Sequence, residues 1–136
     1  MFITHNKVRM HDTDMAGILY FARQFRYVHD ALEDLVEKEG LNFDYLFNNS
    51  SYVFVIVHAE ADYLASLKVG DVLEIHVEVE NMGRSSFTMS YKIFKADKTL
   101  VGKAKTVHVC LESKNRTKIP IPEDLKKIFG KYLVEK

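Results

Sequence analysis

The spacing of apolar residues changes along the chain from a helical period to a strand period. Between residues 21 and 39, apolar side chains recur at intervals of three and four, which is the period of one helix face. Gly40 follows at the position where helices commonly end. The pattern predicts one long helix over residues 21–39, about 28 Å in length.

A period of two begins at residue 51. In SYVFVIVHAEADYL, residues 51–64, every odd position from Val53 to Tyr63 is apolar or aromatic. The even positions are apolar at first and polar from His58 to Asp62. This pattern predicts a long strand that is buried on both faces at its start and on one face later.

Three further segments alternate in the same way and are bounded by short turns with the sequences KVGD, NMGR and ADKT. With a poorly alternating first segment, they complete a set of predicted strands over residues 2–10, 51–64, 72–80, 86–94 and 100–112. The remaining segments are predicted as a helical turn and loop at residues 42–50, a basic loop at 113–122 and a short helix at 123–133.

The order of these elements predicts the architecture. Strands that follow one another through tight turns form an antiparallel sheet, and the apolar stripe of the long helix must be buried against that sheet. We therefore predict an α+β fold in which one long central helix is wrapped by a curved five-stranded antiparallel sheet, with a short C-terminal helix. The length and the absence of repeats or linkers indicate a single domain over residues 1–136.

Composition and charge exclude several classes of protein. The 19 basic and 19 acidic side chains balance, so charge favours neither a nucleic-acid-binding nor a membrane-surface protein. The single cysteine, Cys110, excludes an internal disulfide and a cysteine-based zinc cluster, and it fits a reducing compartment. No segment has the pattern of a secretory signal or of a membrane span, so the sequence predicts a cytoplasmic protein.

Candidate chemistry is concentrated in the stretch HDTDMAGILYFA, residues 11–22. Asp14 is interpreted either as an N-cap or turn residue ahead of the helix, where acids are favoured, or as a catalytic carboxylate. Gly17 would let a backbone approach a ligand closely, and the following helix start presents N–H groups that polarise a carbonyl oxygen. That combination is typical of an acyl-hydrolysis site. A metal site of His11, Asp12 and Asp14 is a further interpretation, but no second ligand cluster is visible in the sequence.

Two histidines and two basic segments are the other candidates. His58 and His108 lie in predicted strands, and each is predicted to be a partly buried histidine with satisfied hydrogen bonds. The turn GRSS at 83–86 and the loop SKNRTK at 113–118 carry arginine, lysine and serine donors that suit phosphate. Their alternative interpretation is a solvated turn and a solvated loop.

The stretch HDTDMAGILYFARQFRYVHDALEDL resembles the signature of hotdog-fold acyl-CoA thioesterases of the 4-hydroxybenzoyl-CoA thioesterase family, in which D-x-D-x-x-G-x-x-[YW] precedes the central helix. The segments VFVIVHAEADYLASLKVGDVLEIHVEV, NMGRSSF and KTVHVCLESKNRTKIPIP resemble later parts of the family, so the similarity covers nearly the whole chain. Within the family, YFARQFRYVHDALEDL, VHAEADYL and HVC are most similar to 1,4-dihydroxy-2-naphthoyl-CoA hydrolases.

The resemblance implies roles for particular residues. It implies that the second acid of the motif, Asp14, is catalytic, either as a nucleophile on the thioester or as a general base on water. The implied carbonyl-polarising and acyl-pocket positions are Gly17, Tyr20, Phe21 and His58. The implied coenzyme A contacts are Arg84, Ser85, Ser86 and Arg116. Met15 departs from the small residue or proline common in the family, which implies a differently shaped acyl pocket.

The resemblance also implies a hotdog fold, an acyl-CoA substrate, no metal and no redox cofactor. It implies a homodimer or homotetramer in which two sheets join edge to edge, an arrangement that would also cover an exposed strand edge. An aromatic acyl-CoA is the leading predicted substrate. Two alternatives stay open: a thioesterase for short-chain acyl-CoA or acyl carrier protein, and a hotdog protein that binds acyl-CoA without turnover.

Overall fold

A five-stranded antiparallel sheet and one long helix form most of the described chain, which comprises residues 1–14, 17, 19, 21–41, 44 and 50–134 in the computed structural model. The strands are β1 (Phe2–Lys7), β2 (Tyr52–Tyr63), β3 (Val72–Met82), β4 (Ser86–Lys95) and β5 (Leu100–Glu112), and the helices are α1 (Gln24–Lys38) and α2 (Glu123–Gly130). Short 3-10 turns cover Met10–Asp12 and Phe21–Arg23. The predicted α+β class is confirmed, with α1 packed against the sheet.

The strand order across the sheet is β1-β3-β4-β5-β2, and each neighbouring pair is antiparallel. Consecutive hairpins join β3, β4 and β5, as the short turns predict. The expected succession of hairpins is wrong for β2, which pairs with β5 at one edge of the sheet instead of with β3. Residues 64–71 connect β2 to β3, and a connection of this length can cross the roughly 14 Å of three inter-strand spacings.

The apolar stripe of α1 faces the sheet, as its period predicts. The buried residues of the helix are Gln24, Tyr27, Val28, Ala31, Leu32, Leu35 and Val36. The predicted start of the helix is wrong by about one turn, because Phe21–Arg23 form a 3-10 turn of the kind that often precedes an α-helix. Gly40 has a φ of 91°, a left-handed value that glycine adopts readily and that ends the helix where the sequence predicts.

The alternation predicted for the central strands is confirmed. The buried side chains of β3 and β4 are Leu73, Ile75, Val77, Val79, Phe87, Met89, Tyr91 and Ile93. These rows face α1 and α2 and form the centre of the core, together with Leu125 and Phe129 of α2. The sheet therefore gives one face to the core, while the polar residues that alternate with these rows lie on its other face.

The second half of β2 departs from its prediction. Tyr52, Val53 and Phe54 are buried, which confirms that the strand begins buried on both faces. Most of the later strand is exposed instead of being buried on one face, and Val57 is 59% exposed. The physical reason is position, because β2 is an edge strand with a neighbour on one side only, and its register shifts between Ile56 and His58.

Two boundaries also differ from the predictions by three residues each. β1 ends at Lys7 instead of residue 10, because Met10–Asp12 form a 3-10 turn, and α2 ends at Gly130 instead of residue 133. The predicted turn and loop at 42–50 lies outside the described residues, apart from Asp44 and Ser50. Among the described residues, no helix is both long enough and apolar enough to cross a membrane.

Candidate active site

The two acids of the opening motif lie at the start of a closed loop between β1 and α1. Thr13 and Leu19 form an isolated antiparallel bridge, and the Leu19 N–H donates to the carbonyl oxygen of Leu67 at 2.8 Å. Inside this loop the Gly17 N–H donates to the Asp14 carbonyl at 3.0 Å, and Gly17 has a left-handed φ of 77°. The glycine is thus required by the turn that presents Asp14.

Asp12 is the anchor of this loop. Its carboxylate is fully buried and accepts hydrogen bonds from the Arg9 backbone N–H at 2.9 Å, from Arg26 Nε at 2.8 Å and from the Tyr27 hydroxyl at 3.0 Å. Arg26 Nη2 also donates to this carboxylate, so the contact between Arg26 and Asp12 is bidentate. Burial alone would raise the pKa of Asp12, but these hydrogen bonds and the Arg26 charge lower it to about 2.

Asp14 is the exposed acid of the pair. The N-cap interpretation of Asp14 is wrong, because Arg23 occupies the N-cap position of α1 and the preceding 3-10 turn begins at Phe21. The turn interpretation is consistent with the Gly17 hydrogen bond to the Asp14 backbone. The two residues therefore differ in accessibility, since Asp12 is buried among its donors and Asp14 is exposed.

The start of α1 is held against the sheet by Gln24. This buried side chain donates from Nε2 to the carbonyl oxygens of Asp62 at 3.3 Å and Lys103 at 3.2 Å. It passes directly over Gly102, where a Cβ atom would lie only 2.7 Å from the glutamine Oε1. Gln24 was missed by the sequence analysis because one polar residue inside an apolar stripe has no distinctive spacing.

Of the predicted carbonyl-polarising and acyl-pocket residues, the structure describes Gly17, Phe21 and His58. Phe21 opens the 3-10 turn that leads into α1, so its backbone stands at the first turn of the helix. Gly17 is exposed, and Tyr20 lies outside the described residues. His58 is exposed instead of partly buried, since it lies on the outer half of the edge strand, and its Nε2 is 3.5 Å from Glu60.

A cavity of about 290 Å³ lies between α1 and the paired strands β2 and β5. Its lining residues are His29, Asp30, Leu32, Glu33, Phe54, Ile56 and His108. The sequence analysis did not predict this cavity, because its walls come from three elements that are distant in the chain. One signal was available, since the alternation of β5 places Thr106 and His108 on the buried face with Ala104 and Cys110.

His108 is fully buried on the wall of the cavity, so the prediction of a partly buried and satisfied histidine is wrong. Its Nε2 is 2.8 Å from Thr106 Oγ1, which is 3.1 Å from the Tyr91 hydroxyl. Its Nδ1 has no hydrogen-bond partner among the described residues. Burial, and to a lesser degree the charge of nearby His29, lowers the pKa of His108 to about 4, so the ring is neutral near pH 7.

The two basic segments are brought together at one end of the sheet. The Arg84 carbonyl accepts from the Ile121 N–H at 2.8 Å, and the Ser85 carbonyl accepts from the Cys110 N–H at 2.9 Å. These bonds join the turn before β4 to β5 itself and to the loop that follows β5. Arg84 and Arg116 are both exposed, while Ser85 and Ser86 are half-buried. The end of the sheet therefore presents arginines from two segments that are distant in sequence.

Among the described residues, no group of three or more His, Cys, Asp or Glu side chains is arranged to hold a metal ion. His11 is 3.6 Å from Asp12, but the Asp12 carboxylate is already occupied by Arg26 and Tyr27. The polar groups of the site are thus a carboxylate, backbone donors at a helix start and a buried imidazole.

The chain matches the sequence profile of the thioesterase-like superfamily over residues 8–129. It is 37% identical to a 1,4-dihydroxy-2-naphthoyl-CoA hydrolase of Nostoc punctiforme, over 92% of this chain and 84% of that protein. A hydrolase of the same name from Microcystis aeruginosa is also 37% identical, over 88% of this chain and 86% of its own length. The fold superposes on the crystal structure of a 1,4-dihydroxy-2-naphthoyl-CoA thioesterase from Synechocystis with a TM-score of 0.89, at 28% identity and 95% coverage of both chains.

Proposed function

The chain belongs to the thioesterase-like superfamily, and on that premise we propose that it hydrolyses an aromatic acyl-CoA, such as 1,4-dihydroxy-2-naphthoyl-CoA, to the free acid and coenzyme A. The observation that carries the proposal is the exposed Asp14 carboxylate in a closed loop beside an anchored helix start. The names of the relatives in Nostoc and Microcystis support the same substrate.

In the proposed reaction, the thioester carbonyl lies at the first turn of α1. A backbone N–H at Phe21 polarises the carbonyl oxygen and stabilises the negative charge that develops on it. Asp14 acts in one of two ways. As a general base it takes a proton from water, whose oxygen adds to the carbonyl carbon; as a nucleophile it forms a mixed anhydride that water then hydrolyses. In both routes the carbon–sulfur bond breaks and the coenzyme A thiolate leaves.

The cavity beside β2 is the proposed acyl subsite. Leu32, Phe54 and Ile56 give it an apolar surface, and its volume is close to the lower end of about 300–1,000 Å³ for small-molecule sites. An aromatic acyl group would fill such a space through apolar and ring contacts. The arginines Arg84 and Arg116 would then contact the phosphates of the coenzyme at the same end of the sheet.

The test of this function is a panel of thioesters assayed by release of the free thiol. The panel contains 1,4-dihydroxy-2-naphthoyl-CoA, benzoyl-CoA, butyryl-CoA and a butyryl acyl carrier protein. We expect aromatic thioesters to exceed butyryl substrates at least tenfold in kcat/KM. An aliphatic preference of that size would contradict the aromatic assignment, and tight binding without thiol release would favour a non-catalytic binding protein.

We expect Arg84→Ala to raise KM for coenzyme A thioesters roughly tenfold while kcat changes less than twofold. A phosphate contact far from the thioester is equally strong in the ground state and the transition state, so its loss weakens binding alone. Steady-state kinetics on the best substrate measure both constants. Lys92→Ala is the charge-matched control, because Lys92 is exposed in the middle of β4. An unchanged KM in Arg84→Ala would show that Arg84 is a solvated turn residue that does not contact the coenzyme.

We further propose that the chain forms at least a homodimer through β2, either alone or within a homotetramer. The exposed apolar positions Ile56, Val57 and Tyr63 lie on this strand, which is at one edge of the sheet that the described residues form. Pairing of two β2 strands would add backbone hydrogen bonds at this edge and cover the apolar side chains. It would also place a second copy next to the cavity, since Ile56 lines it.

Light scattering at micromolar concentration is expected to give at least twice the 15.8 kDa mass of one chain. Val57→Arg is expected to lower that mass to the monomer value, because a charge on the edge strand opposes edge-to-edge pairing. Ile3→Arg, an exposed position on the opposite edge strand β1, is the matched control and is expected to leave the mass unchanged. A monomeric wild-type chain would contradict the proposal.

We also propose a cytoplasmic location for the chain. The one cysteine of the chain, Cys110, is a buried free thiol, and such usage is typical of reducing compartments.

A further inference from the structure

His108 is a buried polar residue to which the reaction described above gives no role. Its ring lines the cavity with 1% of its surface exposed, and its Nδ1 atom lacks a partner among the described residues. Buried polar atoms in native proteins are nearly always hydrogen-bonded, so the unpartnered Nδ1 of a ring that lines a cavity leaves one hydrogen-bond position that a bound group would fill. The chemistry of that group depends on whether Nδ1 carries a proton.

The chain of hydrogen bonds behind the ring determines the position of that proton. Burial raises the pKa of Tyr91, so its hydroxyl keeps its proton, and the hydroxyl lies 3.1 Å from Thr106 Oγ1. If Tyr91 donates to Thr106, the Thr106 hydroxyl can donate in turn to His108 Nε2 at 2.8 Å. The opposite direction would leave the buried Tyr91 proton without an acceptor in the described part of the chain, which is unfavourable. Nε2 is therefore an acceptor, and the proton of the neutral ring is on Nδ1.

The ring that carries this donor is held in one orientation. Phe87 stacks on His108 with ring centroids 4.9 Å apart and an interplanar angle of 8°. Phe54 meets the same ring edge-on at 5.7 Å. Together with the Thr106 hydrogen bond, these contacts oppose rotation of the imidazole. The cavity thus has a rigid N–H donor beside the apolar side chains of Leu32, Phe54 and Ile56, while the polar lining residues His29, Asp30 and Glu33 belong to α1. A fixed polar group beside an apolar surface is the arrangement by which small-molecule sites orient a polar substituent.

We propose that His108 determines acyl-group specificity by donating a hydrogen bond from Nδ1–H to an oxygen substituent on the aromatic ring of the acyl group. The inference rests on the proposed thioesterase function and adds to it the residue that recognises an oxygen substituent of the acyl ring. An unsubstituted ring in the same cavity leaves the donor unpaired. A site built in this way rejects the analogue that lacks the oxygen more strongly than an apolar pocket rejects a change of size.

The test compares two matched pairs of substrates in the full-length chain. The pairs are 1,4-dihydroxy-2-naphthoyl-CoA with 2-naphthoyl-CoA, and the hydroxybenzoyl-CoA isomers with benzoyl-CoA. The measured quantity is the ratio of kcat/KM within a pair, and it is compared between variants so that the intrinsic reactivity of each thioester cancels. We expect His108→Phe, which keeps a ring and loses the donor, to lower the ratio at least tenfold for one pair, through slower hydrolysis of the hydroxylated member.

Two further variants separate recognition from a structural role. His108→Asn places an amide N–H near the Nδ1 position and is expected to restore part of the ratio. His76→Asn, a histidine substitution on β3 outside the cavity, is expected to leave the ratio unchanged. If His108→Phe hydrolyses both members of every pair with the wild-type ratio, the inference is wrong, while the proposed thioesterase function stands.

A measurement on the wild-type chain does not depend on folding of the variants. Nitrogen NMR of ¹⁵N-histidine protein is expected to find His108 as the Nδ1–H tautomer, and that proton is expected to shift when 1,4-dihydroxy-2-naphthoate is added but not when 2-naphthoate is added. An Nε2–H tautomer, or an equal response to both acids, would overturn the inference. If the wild-type chain releases thiol from no aryl thioester, the proposed function fails, and this NMR comparison alone decides the role of His108.

Discussion

Replacement of Asp14 by asparagine is expected to lower kcat at least a hundredfold with little change in the thermal midpoint. Asparagine has nearly the same shape and suits turns as well as aspartate does, so the backbone turn between Asp14 and Gly17 should persist. The amide lacks the charge that a nucleophile or general base requires. Loss of a general base alone typically costs ~10²–10⁴-fold in rate, and loss of a nucleophile can cost more.

Kinetics on the best aromatic substrate and a thermal melt, made on the same preparation, measure the two effects. Asp97→Asn is the matched control, because it removes an equal charge from the exposed turn between β4 and β5. We expect near wild-type kcat for that control. If Asp14→Asn retained more than a tenth of the wild-type kcat, Asp14 would be a turn residue and another group would have to activate the water.

Asp12→Ala, unlike Asp14→Asn, is expected to lower the stability of the fold strongly. The substitution removes a fully buried carboxylate and leaves three donor groups without their acceptor, namely the Arg9 N–H, the Arg26 guanidinium and the Tyr27 hydroxyl. Breaking a buried ion pair typically costs ~3–5 kcal/mol. We expect about 3 kcal/mol here, since Arg26 is partly exposed and keeps its 3.0 Å contact with Asp30. The midpoint of thermal unfolding should fall by roughly 10 °C.

Asp30→Ala is the control for that prediction. Asp30 pairs with the same arginine, but its side chain is 44% exposed, and exposed ion pairs contribute about 0–1 kcal/mol. A chemical denaturation series gives the free energy of unfolding of each variant. Equal losses in Asp12→Ala and Asp30→Ala would show that burial of the Asp12 carboxylate is not what stabilises the loop.

The lowered pKa of Asp12 also predicts how the stability of the fold depends on pH. The folded-state pKa of Asp12, about 2, lies below the ordinary 3.8, so the unfolded chain binds the proton more tightly. The stability that Asp12 contributes is therefore fully present above about pH 4 and is lost as pH falls through about 2. The free-energy difference between wild type and Asp12→Ala should accordingly be constant from pH 7 to about 4 and should shrink below that range.

The predictions agree best with the structure where the residues of a single segment set the period of that segment. The apolar stripe of residues 21–39 and the alternation of residues 72–80 and 86–94 predicted α1, β3, β4 and their buried faces. The periods of 3.6 and 2 follow from backbone geometry, so each can be read within a single segment. The match to the D-x-D-x-x-G motif likewise needed only local sequence, and it identified the thioesterase-like superfamily and the fold.

Contacts between elements could not be predicted in this way. Periodicity predicts that β2 is a strand, but not that it pairs with β5 at the edge of the sheet, and the exposure of Val57 follows from that edge position. Asp12 and Asp14 look equivalent in sequence. They differ because Arg26 and Tyr27, adjacent residues in the first turn of α1, donate hydrogen bonds to Asp12 and bury its carboxylate, while Asp14 is exposed.

Spacing within short segments therefore predicts the strands and helices, the buried faces of α1, β3 and β4, and the family. The tertiary structure shows which acid is buried, which strand lies at the edge of the sheet, and that Nδ1 of His108 lacks a partner among the described residues. Those properties depend on neighbours supplied by other elements. The cavity beside His108 is lined by α1 and β2, and its stacking ring and the Tyr91 hydroxyl come from β4. The spacing of residues within β5 does not predict these contacts.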